Sequence, residues 1–278
     1  SNIYIYRIKL PKHKSGFFDQ IISFKSYYYN TKKQVINKHY DLIIASSSRL
    51  FTAFLGARIS ANKKAPLFLD IRDLFRENMQ EVIKNRYIKY VIDKLLSIVE
   101  NYTFKKVNSI NIVSEGFVEY LQKYDKPISF FPNGIDDVFL KSNFDNYQKV
   151  NDLKIITYAG NIGDGQGLHK IIPQTAKLLK DTNYLFRVIG DGGARLLLKN
   201  KIDELKLSNV ELIEPVDRET LLMYYKETDY LFLHLNDYDA FKKVLPSKIF
   251  EYAATGKPII AGVGGYAFRF VEKYMDGN

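Results

Sequence analysis

The most constraining feature of this sequence is a steady alternation. Short apolar runs bounded by turn residues give way to segments whose apolar positions recur every three or four residues. A buried run of four to eight residues has the length of a strand, and 3.6-residue spacing marks a helix. Strands that alternate with helices pair in parallel, because only a crossover can reach a parallel neighbour, and such sheets are covered on both faces. The expected fold class is α/β. In the first half, strands are expected over 41–45, 66–70, 109–113 and 128–131, with a helix over 47–60. One long helix is expected to carry Val82, Ile83, Tyr87, Val91, Leu95 and Val99, and Ser114 is expected to cap a further one. The pattern lapses into Asn, Asp, Gly and Lys over 133–151, which divides the chain into domains 1–140 and 141–278. Strands are then expected over 154–159, 185–190, 210–213, 230–234 and 258–261, with helices over 168–180, 194–205, 218–226 and 246–255. That half reads as one doubly wound domain. Residues 3–8 read as a strand, and the chain starts without Met and stops on a turn signal, so both ends read as cut.

Charge separates the two halves. Residues 1–140 hold 22 Lys and Arg against 13 Asp and Glu, whereas 141–278 hold 19 against 18. A basic half beside a neutral one suits an anionic partner, whether nucleic acid, an anionic membrane surface or a phosphate-bearing acceptor; well-solvated lysines are the plain alternative. The long helix with Lys84, Arg86, Lys89 and Lys94 is the candidate membrane patch, although such a helix ordinarily packs its apolar face on the sheet. With no cysteine, the chain has no disulfide, thiolate metal site or cysteine nucleophile, which is compatible with the cytoplasm.

Three motifs carry chemistry. Tyr158-Ala159-Gly160-Asn161-Ile162-Gly163-Asp164-Gly165-Gln166-Gly167 joins a strand to a helix. Glycines there let the backbone turn tightly and approach a ligand, with unpaired helix N–H groups at hand for phosphate. The spacing is not the dinucleotide fingerprint. Val188-Ile189-Gly190-Asp191-Gly192-Gly193 is a second glycine turn at a strand end, the edge where open α/β sheets bind ligands. In Pro246-Ser247-Lys248-Ile249-Phe250-Glu251, Lys248 and Glu251 share one helix face. They suit either a surface ion pair or a phosphate contact beside a hydroxyl acceptor. Asp237-Tyr238-Asp239 could hold a divalent cation, but it sits late in the topology, and no metal is expected. His13, His39, His169 and His234 lack metal-ligand spacing.

Taken in order, these motifs resemble the donor domain of GT-B glycosyltransferases, family 4, together with Glu214-Pro215-Val216-Asp217-Arg218-Glu219-Thr220-Leu221 and the continuation to Gly256-Lys257-Pro258. Asp70-Ile71-Arg72-Asp73-Leu74-Phe75 and Phe131-Pro132-Asn133-Gly134-Ile135-Asp136 extend the likeness into the first half. Within the family the chain most resembles bacterial enzymes of O-antigen, capsule and lipopolysaccharide synthesis, including L-fucosamine transferases. The resemblance implies two Rossmann-like domains facing across a cleft. A nucleoside diphosphate sugar, with a lean to UDP, would sit on the second domain. A saccharide or undecaprenyl-diphosphate-linked saccharide acceptor would meet the first. Transfer would retain configuration and need no cofactor or metal, on the cytoplasmic side and peripheral to the inner face of the membrane.

The resemblance also implies roles. Glu251 would bind ribose hydroxyls, and Gly160, Asn161, Gly163 and Gly190 would lie against diphosphate and sugar. Lys248 would meet phosphate beside Pro246 and Ser247, and Val216 would hold the base. Asp73 would lie on the acceptor side. The family commonly has a glutamate eight residues before the ribose-binding one, where this chain has Lys243; Asp239 is the nearby substitute as catalytic carboxylate. Gln166 stands where a lysine is common, which leaves Lys248 and Arg187 to serve the diphosphate. A UDP-sugar 2-epimerase of similar architecture is the alternative enzyme. A basic nucleic-acid-binding module is the non-enzymatic one, and it is disfavoured because the motifs crowd the neutral half.

Overall fold

The computed structural model describes residues 3–11, 17–47, 49–83, 85–144 and 152–275. His13 and Lys84 lie outside them. The chain divides into two compact units, Ser1–Phe131 and Pro132–Asn278.

Unit 1 runs α1 (Phe17–Val35), β1 (Ile43–Ser47), α2 (Leu50–Lys63), β2 (Leu67–Ile71), α3 (Phe75–Val82), α4 (Arg86–Lys106), β3 (Ser109–Ile112), α5 (Val118–Leu121) and β4 (Ile128–Phe130). Its four strands are parallel and lie in chain order, β1-β2-β3-β4. Right-handed crossovers that always step the same way put every crossover helix on one face. Leu67, Leu69, Ile71, Ile110 and Ile112 are buried on that face, and α1 joins the layer by packing Phe24 and Tyr28 on Phe51 and Phe54 of α2. The other face keeps Ile44 66% exposed beside a polar row, in which Asp70 accepts from Ser46 Oγ (2.6 Å) and Asn111 Nδ2 (2.7 Å). Among the described residues the crossover helices therefore sit on one face of this sheet, where cover on both was expected.

Two further expectations need correction. Residues 3–8 form no strand, because none of the strands described extends a partner to them. The single long helix is two, α3 ending at Val82 and α4 starting at Arg86, where Asn85 caps α4 by accepting from the Tyr87 and Ile88 N–H groups. The apolar residues of α4 also face the wrong way. It buries Leu96, Glu100, Thr103 and Phe104 and turns Tyr87, Val91, Leu95 and Ile98 outward. The buried face is mixed, and its charge is satisfied: Glu100 accepts from Tyr120 (2.7 Å), Tyr124 and Arg76 (3.3 Å), while Arg76 also grips Asp93 (2.7 and 3.0 Å).

Unit 2 begins with α6 (Asp137–Lys141) and continues β5 (Lys154–Ala159), α7 (Leu168–Leu178), β6 (Tyr184–Ile189), α8 (Arg195–Glu204), β7 (Val210–Ile213), α9 (Arg218–Glu227), β8 (Tyr230–His234), α10 (Lys248–Ala253), β9 (Ile259–Gly262) and α11 (Gly265–Tyr274). Its parallel sheet has the order β7-β6-β5-β8-β9. The chain steps outward twice from β5, then returns to β8, so the handedness rule places helices on both faces. One core joins Ile156, Tyr158 and Val188 to Leu168, Ile172 and Leu198, and the other joins Ala159, Leu231 and Leu233 to Leu222, Ile249 and Ala267. The order reverses between β5 and β8, which opens a crevice at their carboxyl ends.

Candidate functional site

Beyond the ends of β5 and β6 the backbone stays zipped. Gly160 N–H donates to Ile189 O (2.8 Å), Ile162 N–H to Asp191 O (2.8 Å), and Ala194 N–H to Ile162 O (2.9 Å). The two glycine turns therefore form one floor. Gly160 and Gly190 hold φ of 145° and 139°, and a Cβ on Gly190 would collide with the Gly160 carbonyl oxygen.

Side chains brace this floor from below and beside. The Tyr158 hydroxyl donates to Asn161 O (2.6 Å), and burial pushes its phenol pKa up. Gln166 Oε1 accepts from Asn161 Nδ2 (3.0 Å) and Gly163 N–H (3.1 Å). The loop after β8 staples the far side, with Asn236 Nδ2 on Asp164 O (2.5 Å) and the Tyr238 hydroxyl on the Asp164 carboxylate (3.0 Å). Gln166, in the place of a common lysine, thus shapes the loop.

Lys248 reaches this floor from the start of α10. Its Cε and Nζ lie where a side chain on Gly160 would begin, and its ammonium is 5.9 Å from the Tyr158 ring centroid. Burial lowers its pKa, and the Glu251 carboxylate opposes that shift only in part. Among the described residues its ammonium has no hydrogen-bond or ion-pair partner. Glu251, one turn further on, likewise has no hydrogen-bond partner among them. Pro246 and Ser247 form the turn that sets this geometry, their carbonyls accepting from Ile249 and Phe250 N–H (3.1 Å each). The helix is pinned to β5 by Tyr252, whose hydroxyl accepts from Ala159 N–H (3.3 Å). Val216 occupies the turn from β7 to α9, where Asp217 caps the helix by accepting from Thr220 N–H (2.9 Å).

Arg187, Asp239 and Asp73 complete the expected set. Arg187 is buried in mid-strand, its guanidinium bound to Glu211 (2.8 Å) and Glu227 (2.6 Å) over the Tyr224 ring. Burial opposes its charge, but the two glutamates outweigh it and raise its pKa. It is occupied in the fold, and the arginine at the glycine turns is Arg195, which donates to Gly190 O (3.1 Å) and pairs with Glu214 (2.6 Å). Asp239 is exposed and shares the Lys242 ammonium with Asp237 (2.9 and 3.2 Å), and Lys242 holds its pKa down. Asp73 lies in unit 1, just past β2, against a cavity of about 20 Å³ that Arg49, Arg76, Glu100 and Tyr120 also line. Burial pushes its pKa up, opposed by hydrogen bonds from Asn78 and the Leu74 N–H. The pairings of Arg187 span 24 and 40 residues, beyond the reach of any local sequence signal.

Residues 141–278 match the family described as glycosyl transferases group 1. A protein described as the colanic acid biosynthesis glycosyl transferase WcaI, from Escherichia coli (strain K12), is 33% identical over 123 residues, 44% of this chain and 28% of its own. Among solved structures, sucrose-phosphate synthase from Thermosynechococcus elongatus aligns at a TM-score of 0.66 and 15% identity, over 88% of this chain and 62% of its own. Anabaena Alr3699/HepE, in complex with UDP and glucose, aligns at 0.61 and 14%, over 94% and 68%. The chain thus spans about a quarter of the first relative and under two thirds of the second. Residues 141–278 thus resemble the glycosyl transferases group 1, and the chain's parallel α/β units share the fold of the GT-B glycosyltransferases.

Proposed function

We propose that this chain transfers a sugar from a UDP-sugar to a hydroxyl of a saccharide or lipid-linked saccharide. The reaction retains configuration, needs no metal and serves surface-polysaccharide synthesis at the cytoplasmic face of a membrane. Unit 2 takes the donor and unit 1 the acceptor. The observation that carries the reading is the partly desolvated, unpartnered Lys248 ammonium against Gly160, with Glu251 equally unpartnered beside it. A half-buried cation whose neighbouring carboxylate offsets its burial only in part is costly, and a diphosphate would supply a closer counter-charge. Glu251 then accepts from ribose hydroxyls, and Val216 offers backbone groups to the base. As the sugar leaves, charge grows on the diphosphate, where Lys248 and the N–H groups of the glycine turns stabilise it without reorganising. Of the two proposed carboxylates, Asp73 has the raised pKa that suits proton handling, and Asp239 stands on the donor side.

Calorimetric titration of UDP, with GDP and NAD as controls, tests the donor half of the reading. UDP should bind, and Glu251→Ala should weaken it at least tenfold, about 1.4 kcal/mol. Binding of GDP in place of UDP would change the donor. Folded protein that binds neither would remove the proposal.

A further inference from the structure

Glu214, Asp217 and Arg218 surround Val216 in the turn from β7 to α9, and each is tied to a partner. Asp217 accepts from Thr220 N–H (2.9 Å), and Arg218 pairs with Asp136 at the start of α6. Glu214 pairs with Arg195 Nη2 (2.6 Å), and this pair spans the ends of two strands. Ile189 and Ile213 are register partners on β6 and β7, and Gly190 N–H donates to Ile213 O (3.0 Å), so Gly190 and Glu214 leave the sheet side by side. Arg195 lies across them, with Nε on Gly190 O (3.1 Å) and Nη2 on Glu214.

The backbone fixes where this arginine starts. Its N–H donates to Gly192 O (3.0 Å), and Ala194 and Leu198 on either side are buried. The Glu214 side chain is 71% exposed, and an ion pair so open to water adds little to stability. Its effect on a ligand is another matter. Guanine presents N1–H and N2–H donors, which a free carboxylate accepts as a pair. It also presents O6 and N7 acceptors, which a free arginine fork meets as a pair. In the bridge each group occupies the other, and Nε is engaged by Gly190 O as well. Neither edge of guanine then finds a two-pronged partner. Uracil, whose N3–H lies between two carbonyl oxygens, is served by single contacts, which backbone groups of the turn and the remaining Nη1 donor supply.

We infer that the Arg195–Glu214 bridge sets the base preference of the donor site, excluding guanine by withholding both groups that would bind it. The inference deepens the donor reading and rests on it, since it takes the Val216 turn to hold the base.

Calorimetric titration of UDP and of GDP into the whole chain and three variants tests it, with a thermal melt of each. The wild-type chain should favour UDP. Arg195→Ala frees the carboxylate and Glu214→Ala frees the fork. Each should shift the ratio of UDP to GDP affinity about tenfold toward GDP, as for one charge-assisted contact. The double variant has neither group and should gain no GDP affinity over the wild type. Two gains that vanish when combined cannot come from a bridge that only holds the turn in shape. If the single variants weaken both nucleotides alike, or leave the ratio unmoved, the inference falls and the donor site stands. Glu214→Ala, at the exposed end of the pair, decides the matter should Arg195→Ala unfold. Folded wild-type protein that binds neither nucleotide removes the donor reading and this inference with it, whereas one that favours GDP overturns the inference.

Discussion

The two units use the same alternation of strand and helix and treat polar groups in opposite ways. In unit 1 the buried charges neutralise one another: Glu100, Arg76, Asp93, Tyr120 and Tyr124 form one closed network, and Asp70 is satisfied by Ser46 and Asn111. In unit 2 Arg187 is closed in the same manner, but Lys248 and Glu251 at the sheet's carboxyl edge are left open. A satisfied buried charge is part of the fold. An unsatisfied one, next to backbone without side chains, has room beside it for the diphosphate proposed above.

Removing charges on each side should break or sharpen this contrast. The largest effect is expected for Glu100→Ala, which strips two buried phenols of their acceptor and leaves Arg76 to Asp93 alone. It should cost about 3–5 kcal/mol of stability in urea unfolding, with UDP affinity unchanged where unit 1 remains folded. A parallel loss of UDP binding would show that the network serves the ligand too. Next is Gly190→Ala, where a strained φ and a collision with Gly160 should cost about 3 kcal/mol. Here the glycine floor and UDP binding should fail together.

Lys248→Ala should weaken UDP binding roughly thirtyfold, about 2 kcal/mol for a charge-assisted contact, and should not destabilise the ligand-free protein. The pH dependence has a definite sign. Burial lowers the Lys248 pKa, so the folded, ligand-free protein binds fewer protons than the unfolded chain between that lowered value and 10.5. The cost of burying Lys248 is therefore present at lower pH and fades as pH rises through that window. Diphosphate favours the ammonium, so UDP affinity should fall through the same window, and Lys248→Met should show a weaker but flat profile. The smallest effect is expected for Gln166→Ala. Loss of its contacts to Asn161 and Gly163 loosens the loop and should weaken UDP about threefold, for a few tenths to one kcal/mol of lost preorganisation.

What the sequence disclosed and concealed follows from the range of the forces involved. The strands of unit 2 were legible within a residue or two, since β5 and β8 are apolar runs with turn residues at both ends. Lys248 and Glu251 were legible as one helix face. Periodicity also gave α4 as a helix but assigned its apolar side to the core, because spacing carries no sign. Only the partners of Glu100, distant in sequence, decide which side is inside. Residues 3–8 alternate like a strand, yet a strand requires a neighbour that no local pattern can supply. The helix α1, crowded with Phe and Tyr of high strand propensity, gave no helical signal and is held by its aromatic contacts to α2.

Strand order has a temporal consequence. In unit 1 each strand pairs with the one made just before it, so the sheet can grow as the chain leaves the ribosome. In unit 2 the central strand β5 cannot complete its second edge until β8 arrives. The buried hydroxyl pair that locks them, Thr157 with Thr228 at 2.6 Å, joins residues 71 positions apart. At roughly 5–20 residues per second that is a wait of about 4–14 s with an apolar edge open. The glycine floor at the end of β5 is thus the part of this protein whose assembly is most exposed to chaperones and to mispairing during synthesis.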